Sequence, residues 1–205
     1  MDRAKTMQAV RTALLLSLTV TFLGLTASVA QAREGSIDVP GGVLHGTLLE
    51  PSGRATYNVA LLVSGSGPTD RNGNAPGLRN DSLKLLAAGL LLHGIGSLRF
   101  DSRGVGASST AKVDENNIVI ETYVGDVKRW LDYLVAKPSI SARYIIGHSE
   151  GALIGNLAAL DAPIAAVVSI AGTGFPAANT IRTQLDSAPV ATLLRNGKSQ
   201  SWKQS

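Results

Sequence analysis

The segment YIIGHSEGALIG at residues 144–155 constrains the fold of this chain more than any other stretch. It joins an apolar run typical of a buried strand, the pattern Gly-x-Ser-x-Gly centred on Ser149, and a helix of small residues. A serine on so sharp a turn has a strained backbone, and the flanking glycines let the strand and the helix approach each other. The pattern predicts a nucleophilic Ser149, and a serine that merely begins a helix is the structural alternative.

The remaining pattern predicts an α/β fold with a mostly parallel sheet. Residues 36–39 and 43–49 alternate around a Pro-Gly-Gly turn, as in an antiparallel hairpin. After the hairpin, strand-like and helical patterns alternate, which implies right-handed crossovers and a sheet covered on both faces. The predicted strands are 59–63, 97–100, 143–146 and 164–170, and two of the predicted helices are 121–136 and 151–160.

A further helix is predicted between the first two parallel strands. Asp81 and Ser82 are expected to cap its start, and Gly94 is expected to end it. Its predicted apolar stripe consists of Leu83, Leu85, Leu86 and Leu90.

Residues 1–32 have the character of a secretory signal peptide, with a basic start, an apolar stretch and an A-x-A site at residues 30–32. We expect cleavage after Ala32, a periplasmic or secreted protein and no stable membrane anchor afterwards. An uncleaved anchor is the alternative, because about 18 apolar residues can span a bilayer. Without the segment's three basic residues and one acid, the formal charge falls from +4 to +2. That charge is too small to indicate a nucleic-acid partner.

The glycine-rich loop SGSGPTDRNGN at residues 64–74 follows the first predicted parallel strand. Backbone N–H groups in such a loop and at a helix start can stabilise an oxyanion. The N–H of Glu150 is the first predicted donor, and that of Gly65 or Ser66 is the second. An ordinary cluster of turn residues is the structural alternative for the loop.

Metal and thiol chemistry are not expected. The chain contains no cysteine, which excludes a thiolate nucleophile and a disulfide framework. Asp70, Asn72, Asn74 and Asp81 match four positions of a calcium loop, but Ala75 stands where the loop requires glycine. Any nucleophile must therefore be a hydroxyl or a carboxylate.

A second charged turn, DSRGVGAS at residues 101–108, closes the second predicted parallel strand. We expect Asp101 and Arg103 to form a buried pair that fixes this loop, since structural ion pairs are common. Lining a cleft is the alternative for these two residues, and neither is assigned a catalytic part.

Together, the loop 64–74, the turn 101–108 and Gly-His-Ser-Glu-Gly at 147–151 resemble the α/β-hydrolase superfamily. The resemblance is to its exported esterase-like members related to the serine aminopeptidase branch, and it extends from about residue 35 to residue 185. It implies an α/β-hydrolase sheet with an N-terminal antiparallel hairpin and Ser149 as the nucleophile. It also implies oxyanion donors at Glu150 and near Ser66, a small-molecule ester or acyl substrate, and no cofactor.

The acid and the histidine that complete such a site are not found. They should follow the serine, but no histidine follows Ser149, and the only later acids are Glu150, Asp161 and Asp186. The three histidines, His45, His93 and His148, are expected to be structural, and His148 is expected to pack beneath the turn.

We therefore expect a shortened α/β-hydrolase domain at residues 33–195 that lacks the last strands, and a disordered tail at 196–205. Strand 164–170 would then be an edge strand through which copies self-associate. The predicted function is hydrolysis of ester or related acyl bonds through an acyl-enzyme at Ser149, with no base identified for turnover. A truncated remnant or binding module that keeps the cleft is the alternative, and a histidine supplied by a second copy is the third.

Overall fold

The computed structural model describes residues 30–112, 119–176, 178, 179, 182 and 183. The elements in chain order are β1 (Gln31–Val39), β2 (Gly42–Glu50), β3 (Tyr57–Val63), α1 (Ser82–Leu92), β4 (Ile95–Phe100), a 3₁₀ turn (Gly106–Ser108), α2 (Ile120–Val135), β5 (Ile140–His148), α3 (Glu150–Ala159) and β6 (Ala166–Ile170). The described strands form one sheet in the order β1-β2-β4-β3-β5-β6. β1 and β2 run antiparallel, and β4, β3, β5 and β6 are parallel to one another. The predicted α/β class, its mostly parallel sheet and its N-terminal hairpin are confirmed.

The hairpin is longer than the sequence pattern predicted. β1 begins at Gln31, so the last two residues of the predicted leader, Gln31 and Ala32, pair with Glu50 and Leu49 in the sheet. Residues 1–29 and the predicted tail at 196–205 lie outside the described residues, and both assignments stay predictions. Among the described residues, no helix combines the length and the apolar composition needed to cross a membrane.

Helices cover both faces of the sheet. On one face, α2 and α3 pack their apolar sides on β3 and β5 around Trp130, which is fully buried. On the other face, α1 places Leu83 and Ala87 against Ala60 and Leu62 of β3. Full burial of one such large side chain stabilises the fold by about 1.5–3 kcal/mol.

The predicted stripe of α1 is wrong at one position. Leu85 is 65% exposed, whereas Leu86 and Leu90 pack on the sheet. The sequence pattern included Leu85 because α1 is rich in leucine on both sides, so the apolar face cannot be separated by composition alone.

The start of α1 is capped by the glycine-rich loop rather than by the side chain of Asp81, one of the two predicted residues. Asp81 has a left-handed backbone with φ of 50° and makes no capping bond with its side chain. Its carboxylate instead accepts a hydrogen bond from the Asn74 amide at 2.8 Å. The Asn72 carbonyl accepts from the N–H groups of Leu83 and Lys84 at 3.0 and 3.2 Å. The glycine-rich loop and the start of α1 are therefore joined by these three hydrogen bonds.

β6 is the edge strand of the sheet that the structure describes. It pairs with β5, and Val168 and Ile170 remain 47% and 40% exposed. An exposed edge of this kind offers unpaired backbone groups to another strand. Self-association through this edge stays a prediction.

Candidate active site

Ser149 stands on a sharp turn between β5 and α3. Its φ and ψ are 54° and −120°, a conformation that is strained for a residue with a side chain. A Cβ atom on Gly147 would lie 2.3 Å from the Gly151 carbonyl oxygen. A Cβ on Gly151 would lie 2.2 Å from the Ser64 carbonyl oxygen. The close approach of strand and helix therefore requires glycine at both positions.

The backbone of Ser149 is fixed from the edge strand. Its N–H donates a hydrogen bond to the Ile170 carbonyl at the end of β6, at 2.9 Å. Its own carbonyl accepts from the Ala152 N–H at 3.0 Å, and its side chain forms no capping bond to the helix. The main chain of Ser149 is thus held by a hydrogen bond on each side, while its hydroxyl takes no part in capping the helix.

The predicted oxyanion donors lie around this serine. A Cβ on Gly65 would be 3.3 Å from the Ser149 Cβ, so the glycine-rich loop passes directly beside the turn. Within the described residues, the backbone N–H groups of Gly65, Ser66 and Glu150 have no hydrogen-bond acceptor. The structure brings the four predicted site residues together, and their catalytic roles stay predictions.

A pocket of about 460 Å³ opens at Ser149. The loop residues Ser64, Gly65 and Ser66 line one side, together with His148. Apolar side chains at the start of α1 line the other side. A volume of this size suits a small molecule.

His148 is not packed beneath the turn, so that expectation is wrong. The residue is exposed and lines the same pocket as Ser149. Its Nδ1 lies 3.2 Å from the place of a Cβ on Gly65. The direction of this side chain depends on the residues that surround it after folding, and no local sequence pattern predicts them.

The other two histidines lie outside this pocket. His45 is in β2, where its N–H donates to Ser108 Oγ and its carbonyl accepts from Asp101. His93 follows α1 and is exposed. Neither lines the pocket of Ser149.

No triad acid is identified among the described residues. Glu150 is exposed and lines a second cavity on the far side of the loop, where Asp126 and Arg103 also lie. Asp161 is 79% exposed and pairs with Lys128 on α2. Asp186 lies outside the described residues.

The expected pair between Asp101 and Arg103 does not form. Asp101 binds Arg71 at 2.8 Å instead, and it also accepts the N–H groups of Arg71 and Ala107. Arg103 binds Asp126 of α2 through two hydrogen bonds of 2.6 Å. Each residue does fix its loop, but through a partner distant in sequence. These partners, Arg71 and Asp126, carried no local sequence signal.

The loop 64–74 is also held by hydrogen bonds to residues of β1, β2 and β4. Arg71 donates to Thr47 and to Glu34, and the hydrogen bond with Asp101 raises the pKa of Arg71. Burial, followed by the like charge of Arg71, lowers the pKa of Arg99. Arg99 donates to the Asn72 side chain at 2.6 Å. The side-chain hydrogen bonds of Arg71 and Arg99 therefore position the loop on the neighbouring strands.

The partial calcium loop holds itself together with hydrogen bonds. Asp70 accepts the N–H groups of Asn72 and Asn74 at 2.8 and 2.9 Å. In the part of the chain that the structure describes, no group of three His, Cys, Asp or Glu residues is arranged to hold a metal ion. These polar residues shape the loop.

Asp101 gives the loop a dependence on pH. Burial opposes ionisation of its carboxyl, but the hydrogen bonds and charge of Arg71 outweigh burial and lower its pKa. Its contribution to stability is therefore present above the unfolded pKa of about 3.9 and is lost as pH falls towards the lower folded value. Asp101→Asn should flatten the loss of stability in that range. Urea unfolding at a series of pH values checks this, with Asp161→Asn as the exposed control. A slope equal to that of the wild type would contradict it.

Comparison with known proteins shows the family to which the chain belongs. A profile of the family described as serine aminopeptidase, S33, matches residues 80–201, more than half of the chain. Esterase EstD of Thermotoga maritima is 30% identical over 154 residues, which is 75% of this chain and 35% of that protein. The chain therefore spans about a third of the length of this relative.

Solved structures of α/β hydrolases share the fold. A dienelactone hydrolase from Anabaena variabilis has a TM-score of 0.56 and 21% identity, and the match covers 70% of this chain and 64% of that chain. The α/β hydrolase GrgF from Penicillium has a TM-score of 0.58 and 18% identity, with 85% and 56% covered. A cold-adapted esterase from an Arctic metagenomic library has a TM-score of 0.52 and 20% identity, with 70% and 61% covered. At these identities the likeness shows the fold alone.

Proposed function

Because the chain belongs to the serine aminopeptidase S33 family, we propose that it is an exported serine hydrolase of ester or related acyl bonds, with Ser149 as its nucleophile. The observation that carries the proposal is the strained backbone of Ser149 beside backbone N–H groups without an acceptor. Strain of this kind persists only where the surrounding structure over-determines it, and it clusters at functional sites.

In the proposed reaction, Ser149 Oγ attacks the carbonyl carbon of the substrate. The negative charge that develops on the carbonyl oxygen is stabilised by the N–H of Glu150 and by that of Gly65 or Ser66. The start of α3 adds the positive end of its dipole. The tetrahedral intermediate then collapses, the leaving alkoxide takes up the proton that Ser149 released and departs as the alcohol, and the acyl group remains on Ser149. Water then attacks the acyl-enzyme, one of its protons returns to Ser149 Oγ, and the acid is released.

The proton of Ser149 needs an acceptor for this attack. The imidazole of His148 is the one basic side chain that lines the described part of the pocket. We propose His148 for this role, and a histidine from a second copy is the alternative.

Hydrolysis of p-nitrophenyl acetate by the full chain tests the proposal. Ser149→Ala should reduce the rate to that of the buffer, while Ser141→Ala, an exposed serine of β5, should leave it unchanged. His148→Gln should slow the reaction if His148 is the base. Equal rates for the wild type and Ser149→Ala would overturn the catalytic proposal.

Binding without turnover is the second candidate function. It is favoured by one observation, that no carboxylate lines the pocket of Ser149 in the described residues. A chain that binds an ester in this pocket without Ser149-dependent hydrolysis would be a binding module.

A further inference from the structure

The pocket at Ser149 has one apolar wall. Leu83 and Leu86 of α1 contribute to it, and Ala75 and Leu78 extend it from the turn before the helix. Ile170, at the end of β6, also lines the pocket. A ligand held at Ser149 therefore contacts aliphatic side chains from two elements.

Within the residues that the structure describes, the pocket offers no negative charge to a ligand. Its lining residues in the described part of the chain include no Asp or Glu, and His148 is the one residue among them with a basic side chain. Asp70 and Asp81 line a separate cavity that shares only the wall of Ala75 and Leu78.

The other acids near the site lie across the loop. Asp126 and Glu150 line the cavity on the far side of residues 64–68. Asp126 is already bound by Arg103 through two hydrogen bonds. The pocket of Ser149 is thus lined by no described carboxylate, although Ala75 and Leu78 also line the cavity that contains Asp70 and Asp81.

We propose that this pocket takes the acyl half of an uncharged, apolar ester and excludes an acyl group that carries a free α-ammonium. This inference rests on the proposed function, because it places the acyl group of the substrate beside Ser149. An ammonium that leaves water for an apolar wall without a carboxylate partner loses its hydration and gains no compensating charge. An aliphatic acyl chain instead buries apolar surface there. The site is therefore suited to an esterase substrate rather than to the N-terminal residue of a peptide.

A matched pair of ligands tests this inference. Methyl 4-methylpentanoate and leucine methyl ester have the same carbon skeleton and differ only in the α-amino group, which is protonated at about pH 6. Their binding to the full-length Ser149→Ala variant, which does not consume them, is measured by calorimetry. The uncharged ester should bind at least about tenfold more tightly.

Two leucines provide the variant and its control. Leu78 lines the pocket and is 54% exposed, so Leu78→Glu adds a carboxylate at the apolar wall without removing core packing. It should reduce the preference for the uncharged ester about tenfold. Leu85 is 65% exposed and lies outside the pocket, so Leu85→Glu should leave the preference unchanged.

Three results would overturn the inference: equal or tighter binding of leucine methyl ester, no binding of the uncharged ester, or a preference that Leu78→Glu does not alter. If leucine methyl ester binds as tightly as the uncharged ester or more tightly, and Glu150→Gln abolishes its binding, then its ammonium occupies the second cavity. The inference is overturned in that case too.

Wild-type turnover separates this inference from the proposed function. If the wild type hydrolyses both esters equally through Ser149, the function stands and the inference fails. If it hydrolyses neither, while the Ser149→Ala variant keeps the tenfold preference, the function fails and the inference stands.

Discussion

Gly151→Ala is expected to destabilise the fold by about 3 kcal/mol or more, because a methyl group there has no room. Its Cβ would lie 2.2 Å from the Ser64 carbonyl oxygen and 2.5 Å from that of Val63. Both contacts are with backbone at the end of a central strand, which cannot turn aside as a side chain can. The start of α3 must therefore move away from β3 and take Ser149 with it.

This movement should also slow acylation of Ser149. A displacement of about 1 Å in a positioned reactive group lowers a rate about a hundredfold. Urea unfolding and labelling by a fluorophosphonate probe measure the two effects separately. Gly89→Ala in α1 is the control, because a Cβ there would meet no described atom within 4 Å. It should stabilise the helix by about 0.5–1 kcal/mol. A Gly151→Ala variant as stable and as reactive as the wild type would show that the contact between strand and helix tolerates a methyl group.

Arg103→Ala is expected to cost about 3–5 kcal/mol of stability, since it leaves a buried carboxylate without its partner. The side chains of Arg103 and Asp126 are 5% and 3% exposed, and two hydrogen bonds of 2.6 Å join them. Arg103 also donates to the Pro40 carbonyl of the hairpin at 2.7 Å. One guanidinium therefore connects α2, the turn after β4 and the hairpin.

The pair of Lys128 and Asp161 is the matched control for this prediction. It lies on the surface, with side chains 40% and 79% exposed, so Lys128→Ala should cost less than about 1 kcal/mol. Replacing both buried partners, as Arg103→Met with Asp126→Leu, should recover much of the loss from Arg103→Ala. Urea unfolding measures the free energy of unfolding of the wild type, the two single variants and the double variant. Equal losses from Arg103→Ala and Lys128→Ala would mean that burial adds nothing to the pair.

The parts of the fold that depend on local pattern could be predicted from the sequence. The turn at Ser149 is one, because the flanking Gly147 and Gly151 are required wherever a strand and a helix meet so closely. The hairpin is another, since alternation around Pro-Gly-Gly has few other solutions. The mostly parallel sheet followed from the alternation of strand-like and helical patterns and from the handedness of their crossovers.

The parts of the fold that depend on contacts between residues distant in the chain could not be predicted from the sequence. Asp101 and Arg103 are two residues apart, yet each binds a partner more than 20 residues away. The Asn72 carbonyl caps the start of α1. Because every residue has a backbone carbonyl, this cap could not be predicted from the type of side chain. The exposure of His148 depends on the neighbours of the turn. Such features are fixed by the folded surroundings rather than by spacing in the chain.

The hydrogen bond from the Ser149 N–H to the Ile170 carbonyl couples the backbone of Ser149 to the edge of the described sheet. β6 has one pairing strand in the described sheet, so it is the strand with the least support. A strand that pairs with the side of β6 left open in the described sheet would restrain Ser149 as well, and fraying of β6 would release it. We therefore expect pairing at the edge and reactivity at the turn to influence each other, with the same coupling free energy in both directions.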